Sequence, residues 1–460
     1  MDPQRNEFSS RRSAVLVTTF GSFLIPLMGS SVNIALPSLG KEFGMDAILL
    51  SWVTTSYLLA VASFQVPFGR IADIYGRKKV FLWGYLILTV SSLFLTFAPS
   101  PAALVGLRIV QGIGGSMAFS TMVAILTSVF PAGQRGKALG INVAAVYSGL
   151  SCGPFNGGLL TYQVGWRSVF FMNVPLGLFI IIITLWKLKD EWKEATGEKF
   201  NVSVALVYSM MLAALMYGFS QLPQTRGVVF LILGILGFFL FVRWETRNPS
   251  PIVDVNLFRH NRVFALSNLA ALVNYSATFA VSFLLSLYLQ VVRGMNPQEA
   301  GVILISQPIV QAIFSPFTGW LSDRMEPRAV ASAGMALSAT GLFLLTFLGE
   351  ETAILSIVVC LIVLGAGFGL FSSPNTNAVM SSVDKRFYGV ASGTLGTMRS
   401  TGMMFSMGVT MLIFALTMDR TPLTAVPVWL MIRSMKVSLI VFTGLCCAGI
   451  FASLSRGKLR

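Results

Sequence analysis

The run Gly69-Arg70-Ile71-Ala72-Asp73-Ile74-Tyr75-Gly76-Arg77-Lys78-Lys79 sets one carboxylate among four cations in a short turn between two long apolar stretches. So much charge beside segments of membrane length has to lie at a water boundary, where the turn ties two helices together. Gly69 and Gly76 let backbones crowd or turn where a side chain would obstruct. The chemistry open to such a turn is electrostatic. An aspartate near a helix N-terminus is stabilised by the helix dipole, and an opposite-charge pair can hold helix ends together in one conformation and release them in another. Asp73, with Arg77 and Lys78 beside it, is therefore a candidate conformational gate; loop capping is the plainer alternative. A degenerate copy follows in Gly319-Trp320-Leu321-Ser322-Asp323-Arg324-Met325-Glu326-Pro327-Arg328, which lacks the second glycine. Gly319, Asp323 and Arg324 are candidates for the same role.

Two cations, Arg108 and Arg399, fall well inside apolar stretches, away from their edges. Insertion scales put the cost of an arginine at a membrane-helix centre at about 2.5–3.5 kcal/mol, so a watery cavity suits it better than lipid. In Arg108-Ile109-Val110-Gln111-Gly112-Ile113-Gly114-Gly115 the spacing of three and four puts Arg108, Gln111, Gly112 and Gly115 on one helical face. Arg399 stands in Gly396-Thr397-Met398-Arg399-Ser400-Thr401-Gly402, and all 18 carboxylates fall in a terminus, a loop or the edge of an apolar run. Two arginines without nearby acids would give a central cavity a positive potential, favouring anionic or neutral lipophilic solutes over cations. The uncharged polar residues Asn33, Asn142, Asn274, Tyr275, Gln307, Gln311, Asn375 and Asn377 also lie in apolar runs. Each is either a substrate contact or a bridge between helices.

Enzyme chemistry finds little support. Gly149-Leu150-Ser151-Cys152-Gly153 matches G-x-S-x-G, but that motif needs a strand-turn-helix elbow with histidine and acid partners, and here it lies in an apolar helix. There is no G-x-x-x-x-G-K-[ST] phosphate loop and no H-E-x-x-H metal pattern. His260 is the sole histidine and reads as a solvated loop residue. No cofactor, catalytic residue or metal is expected.

The elements that must position these residues are membrane helices. Hydrophobic residues make up 55% of the 460 and charged residues 11%, against roughly 25% charged in soluble domains. Apolar runs of about 20 residues, long enough to cross a hydrocarbon core of about 30 Å, recur fourteen times. They cover 14–37, 47–69, 79–98, 101–130, 136–160, 166–186, 201–221, 227–243, 263–290, 299–319, 329–348, 352–380, 387–416 and 434–454. Both copies of the charged turn follow the second run of a six-run set, which gives an all-α polytopic 6+2+6 plan. Its parts are a cytoplasmic N-terminus 1–13, a bundle 14–186, a linker 187–200, an inserted hairpin 201–243, a linker 244–262, a second bundle 263–454 and a C-terminus 455–460. The hairpin has no charged residue within either run except Arg243 at the edge of the second, and it is expected to face lipid. Twenty-four of the 33 lysines and arginines fall in segments on the side of the N-terminus and seven on the other, so the positive-inside rule places both termini in the cytoplasm. Cations sorted by loop, rather than gathered on one soluble face, argue against nucleic acid as the partner of the +15 net charge. The first apolar run follows Arg11 and Arg12 and reads as a retained helix rather than a cleaved signal. Cys152, Cys360, Cys446 and Cys447 all lie in apolar runs and support neither a disulfide framework nor zinc.

The charged turn, as G-x-x-x-D-x-x-G-R-[KR]-[KR], resembles the loop signature of the major facilitator superfamily of secondary transporters. Arg108 to Gly112 resemble its fourth-helix R-x-x-Q-G motif, whose arginine matches Arg108. In the fifth run, Gly149, Gly153 and Gly157 repeat every four residues and admit close helix contact, while Pro154 removes a donor and can bend the helix into a seam between halves. The string Gly153-Pro154-Phe155-Asn156-Gly157-Gly158 resembles the fifth-helix signature of the superfamily's antiporters. Leu27-Met28-Gly29-Ser30-Ser31-Val32-Asn33-Ile34-Ala35-Leu36-Pro37 resembles the L-D-x-T-x-V-N-x-A-L-P string of the fourteen-span drug:proton antiporters, and Trp166-Arg167 through Asn173-Val174-Pro175 is similar to that branch. Met28 stands where the branch has its acid, so the carboxylate expected in proton coupling is missing.

The resemblance covers nearly the whole chain. It implies two homologous six-helix halves related by an axis along the membrane normal, with substrate held between them near mid-bilayer. It further implies a cell-membrane protein, sufficient as a monomer, that exports lipophilic small molecules by alternating access with proton coupling. The alternative is a uniporter or importer of an anionic or neutral metabolite. The expected partners are a small-molecule substrate, a proton or other ion, and membrane lipid.

Overall fold

The computed structural model describes residues 3–129, 135–193, 200–222, 224–246, 255–383, 388–418 and 426–457. Lys199, Arg247, Lys385, Arg386, Arg420, Lys458, Arg460 and the Asn248-Pro249 and Pro251 linker lie outside them. Among the described residues every regular element is helical. The chain begins with α1 (Pro3–Phe43), α2 (Ala47–Tyr75), α3 (Arg77–Thr96), α4 (Pro101–Val129), α5 (Arg135–Gln163), α6 (Arg167–Phe171) and α7 (Asn173–Lys187). A hairpin of α8 (Val202–Ser220) and α9 (Thr225–Glu245) follows. The rest comprises α10 (Val255–His260), α11 (Arg262–Thr278), α12 (Val281–Leu287) with a π-helical turn (Tyr288–Val292), α13 (Pro297–Leu304), α14 (Ser306–Arg324), α15 (Pro327–Leu345), α16 (Ile354–Ser381), α17 (Tyr388–Met418) and α18 (Val428–Leu454).

Short polar residues start several of these helices by accepting from a free backbone N–H of the first turn. Asp46 caps α2, Asn201 caps α8 and Asn261 caps α11, while Asn296 and Glu299 form a reciprocal capping box at α13. Twelve helical segments among the described residues are long and apolar enough to cross a membrane. The Gly-, Ser- and Asn-containing α5 and the α13–α14 pair are outside that set. Three runs that read as continuous are broken. The stretch 166–186 divides at Met172, and 299–319 divides at Ile305. Pro308 accounts for the second break, because it has no N–H to return to Leu304. The stretch 263–290 breaks at Phe279-Ala280, where the freed Ala280 N–H donates to Ser406 Oγ of α17 at 2.9 Å. Broken backbone at membrane depth requires such a substitute acceptor.

Glycines set the helix contacts, and they do so twice. Gly84 of α3 lies against the Gly114 carbonyl of α4, as Gly334 of α15 lies against the Gly367 carbonyl of α16. Gly112 of α4 lies against the Tyr57 carbonyl of α2, as Gly365 of α16 lies against the Gln307 carbonyl of α14. Gly149 of α5 lies against the Phe23 carbonyl of α1, as Gly402 of α17 lies against the Leu272 carbonyl of α11. At each of these positions a Cβ would collide with backbone, so the same packing plan recurs in α1–α7 and α11–α18.

The hairpin departs in part from a lipid-facing pair. α9 is largely exposed, but α8 packs on both α2 and α17. Ser209 Oγ donates to the Ser63 carbonyl of α2 at 2.7 Å, and Phe219 meets Phe405 of α17 with ring centroids 5.2 Å apart. Glu245, expected at a solvated edge, closes α9 with its side chain buried. Leu188 and Trp192, in the linker expected at 187–200, pack against the core of the first half.

Candidate functional site

The charged turn forms the expected pair. Arg77 donates from Nε and Nη2 to Asp73 Oδ1 at 2.9 and 2.7 Å, and from Nη1 to the Ala124 carbonyl at 3.3 Å and the Ser128 hydroxyl. The pair thus ties the α2–α3 corner to the end of α4. The N-terminus of α3 is capped by the segment after α7: Lys78 N–H donates to Glu191 Oε1 at 2.9 Å, and Arg77 N–H donates to the Trp192 carbonyl at 3.1 Å. Gly76 adopts φ 123°, and a Cβ there would strike the Glu191 carboxylate. Gly69 carries no such demand, since a Cβ would meet only Ser120 at 3.6 Å. In the second copy, a Cβ on Gly319 would press on Ser373 Oγ at 3.0 Å. Asp323 and Arg324 end α14, and their side chains lie outside the described residues.

Arg108 is 1% exposed and faces α2 rather than an open cavity. Its Nε donates to the Val53 carbonyl at 2.8 Å, Nη1 donates to Gln111 Oε1, and the guanidinium lies 4.4 Å from the centre of the Tyr57 ring. Gln111 passes the chain on, donating to Ser92 Oγ of α3 at 2.7 Å. The helical face expected from the spacing is real, because Gly112 and Gly115 also abut Tyr57. What it faces is protein, and polar backbone and an aromatic ring replace the hydration a buried cation gives up.

A different cluster occupies the seam between the repeated halves. Tyr147 of α5 donates to Ser372 Oγ of α16 at 2.7 Å. Tyr147, Tyr275 of α11 and Phe368 of α16 share one buried cluster, with Tyr275 and Phe368 edge-to-face at 5.1 Å. Arg399 of α17 lies 5.6 Å from the centre of the Tyr275 ring and donates from Nη2 to Thr376 Oγ1 at 3.0 Å, while its Nε is buried without a protein acceptor. Neither Arg108 nor Arg399 has a carboxylate partner among the described residues.

Most of the other polar candidates bridge helices. Asn33 accepts from Thr54 Oγ1 at 3.1 Å, and Asn142 donates to Ser22 Oγ at 2.5 Å. Asn377 donates to Ser322 Oγ at 3.0 Å. Gln307 and Gln311 make no side-chain hydrogen bond among the described residues, and both amide atoms of Asn274 are buried without a partner. Asn375 holds Arg456, which was expected in the solvated C-terminal tail and is instead 1% exposed. Arg456 donates to Asn375 Oδ1 at 2.6 Å, Ser267 Oγ at 3.2 Å and the Ser453 carbonyl at 2.9 Å. Burial pulls its guanidinium down to about 10, still cationic at neutral pH. Arg456 gave no sequence signal, because a terminal arginine after a long apolar run looks like any interfacial cation.

The glycine strip of α5 divides its work. Gly149, Gly153 and Gly157 pack on α1 within the first half, and Ser31 Oγ donates to the Gly153 carbonyl at 2.9 Å. The seam expected of this helix is made by the adjoining face, where Gly158 abuts Pro297 and Gln298, and Gly301 of α13 abuts the Pro154 carbonyl. Nearby, Ser286 Oγ donates to the Asn33 carbonyl at 3.0 Å and Gln290 Nε2 to the Ile34 carbonyl at 3.1 Å. These contacts close the end of the bundle opposite the charged turn. At that end Glu42 also pairs with Arg167 at 2.8 Å and accepts from Trp166 Nε1 at 2.6 Å.

Repeated helical halves, a hairpin laid across their seam and a polar aromatic cluster between them make an all-helical protein with twelve segments of membrane length among the described residues. A family model described as Major Facilitator Superfamily matches residues 18–407. The chain belongs to that superfamily. It is 28% identical over 389 residues to the riboflavin transporter RibZ of Clostridioides difficile strain 630, covering 84% of each. It is 32% identical over 394 residues to the multidrug resistance protein Stp of Mycobacterium tuberculosis strain CDC 1551, covering 84% of this chain and 73% of that one. The crystal structure of the human organic anion transporter MFSD10 (TETRAN) superposes with a TM-score of 0.66 over 98% of this chain and 100% of that one, at 15% identity, which speaks to fold alone.

Proposed function

We propose that this protein is a secondary active transporter that exports small molecules by alternating access, with the seam cluster of Tyr147, Tyr275 and Arg399 as its substrate site. The observation that carries this reading is an uncompensated guanidinium among aromatic rings where the two repeated halves meet. Counting α5 and the α13–α14 pair as spans gives fourteen in the 6+2+6 plan, with units at 14–186, 201–243 and 263–454 and both termini cytoplasmic. The location is the cell membrane, and a monomer contains the whole path. The Asp73–Arg77 pair is the cytoplasmic latch, and the α1/α12 and α5/α13 contacts are the outer gate. The antiporter-like string in α5 and the relative named for multidrug resistance favour efflux.

Protons are the proposed driving ion, since one moving through the full potential supplies about 2.3 kcal/mol per 100 mV. Met28 in place of an acid and a riboflavin-transporting relative favour a second reading, a uniporter or importer of a neutral or anionic metabolite. Proteoliposomes with an imposed pH gradient separate the two. Substrate-evoked proton movement supports antiport, whereas flux indifferent to pH and voltage supports the second reading, and no flux of any solute discards transport altogether.

A further inference from the structure

Resting on the transporter reading of the seam cluster, we infer that its substrates are planar aromatic organic anions, with the anionic group held by Arg399. Arg399 has a planar fork of donors, yet among the described residues the fork meets one protein acceptor, the Thr376 hydroxyl, and Nε is buried without any. A half-buried cation that protein has left so incompletely bonded selects an acceptor-rich ligand, and a carboxylate matches the fork in two parallel bonds. The ion pairs Asp73–Arg77 and Glu42–Arg167 lie at opposite ends of the bundle, away from this seam, so neither carboxylate answers the charge. Arg108 does not share the task, since Val53, Gln111 and Tyr57 already occupy it.

The walls specify the rest of the ligand. Tyr275 and Phe368 stand edge-to-face, and Tyr147 joins them from the other half. Rings so placed stack on flat aromatic bodies. Tyr147 donates to Ser372, which holds its ring in the seam. A cationic ligand would meet Arg399 at close range in a low-dielectric seam, where like charges repel far more than in water.

The test uses three molecules that share one ring system, 2-naphthoate, 2-naphthamide and 2-naphthylmethylammonium, with affinity measured on the purified full-length protein. Naphthoate is expected to bind on the order of tenfold or more tightly than the ammonium, the equivalent of one charge-assisted hydrogen bond. Arg399→Gln should erase that preference, Arg399→Lys should retain part of it, and Tyr275→Leu should weaken all three together. Equal affinities in the parent, or a preference that survives Arg399→Gln, overturns the inference. If Arg399→Gln does not fold, the Lys and Leu variants carry the same decision. Flux of the three probes in proteoliposomes separates this claim from the reading beneath it. Ammonium moved as fast as naphthoate leaves transport standing and sinks the anion preference, while Arg399-dependent naphthoate binding without flux does the reverse.

Discussion

Arg108 and Asp73 illustrate how differently two charged residues of one half are employed. Arg108 is fully committed to protein, so Arg108→Ala leaves the buried Gln111 Oε1 without its donor and takes a second bond from the Val53 carbonyl. The expected loss is about 1–3 kcal/mol, read as a lower melting temperature in detergent together with loss of substrate-evoked flux. Lysine should not rescue it, because a point charge cannot reproduce the fork that spans Val53 and Gln111. A variant with parental melting temperature and flux would remove both roles from this residue. Asp73 is partly exposed, and its bonds to Arg77 draw the α2–α3 corner toward α4. Asp73→Asn should therefore spare insertion and slow turnover by roughly tenfold, on the scale of one charge-assisted bond lost from the latched state. Parental turnover at equal membrane abundance would leave Asp73 as a loop cap.

At the scale of the element, glycines decide which faces meet. Gly76 is the corner between α2 and α3, and its φ of 123° and contact with Glu191 leave no room for another residue. Gly76→Ala should cost about 1–3 kcal/mol through backbone strain alone and displace the Glu191 cap from α3. Thermal unfolding measures the cost, and an unchanged midpoint would show that the corner relaxes freely. The i, i+4 strip of α5 belongs to its pairing with α1, whereas Pro154 and Gly158 on the neighbouring face meet α13. Periodicity revealed that the strip existed. It could not reveal which helix would lie against it, because every close helix pair uses the same small residues.

For the whole molecule, the repeated packing of α1–α7 and α11–α18 makes two bodies that touch along α2 and α17 and close together at the end opposite the charged turn. Driving a side chain into the Gly301–Pro154 contact should part that end. In a background lacking Cys152, Cys360, Cys446 and Cys447, a cysteine at Ser286 is expected to resist a membrane-impermeant maleimide, and Gly301→Leu should make it react. Labelling that is equal with and without the leucine would remove the closed outer gate from the proposed cycle. α8, bonded to α2 and stacked on α17, would have to follow both bodies as they move.

What the chain alone determined was the solvent and the plan. Apolar runs of membrane length, a charged turn and its worn copy specify helices and internal repetition, since each depends on local composition and spacing. Tertiary structure decided the employment of the polar residues within those helices that found partners. Asn33, Asn142, Asn375 and Asn377 looked no different in sequence from Tyr275 or Arg399, yet the first four hold neighbouring helices while the last two meet at the seam. The reason is physical. A polar group in an apolar helix is stabilised by a partner, and whether that partner is another helix or a chain terminus such as Arg456 depends on what the fold brings within about 3 Å.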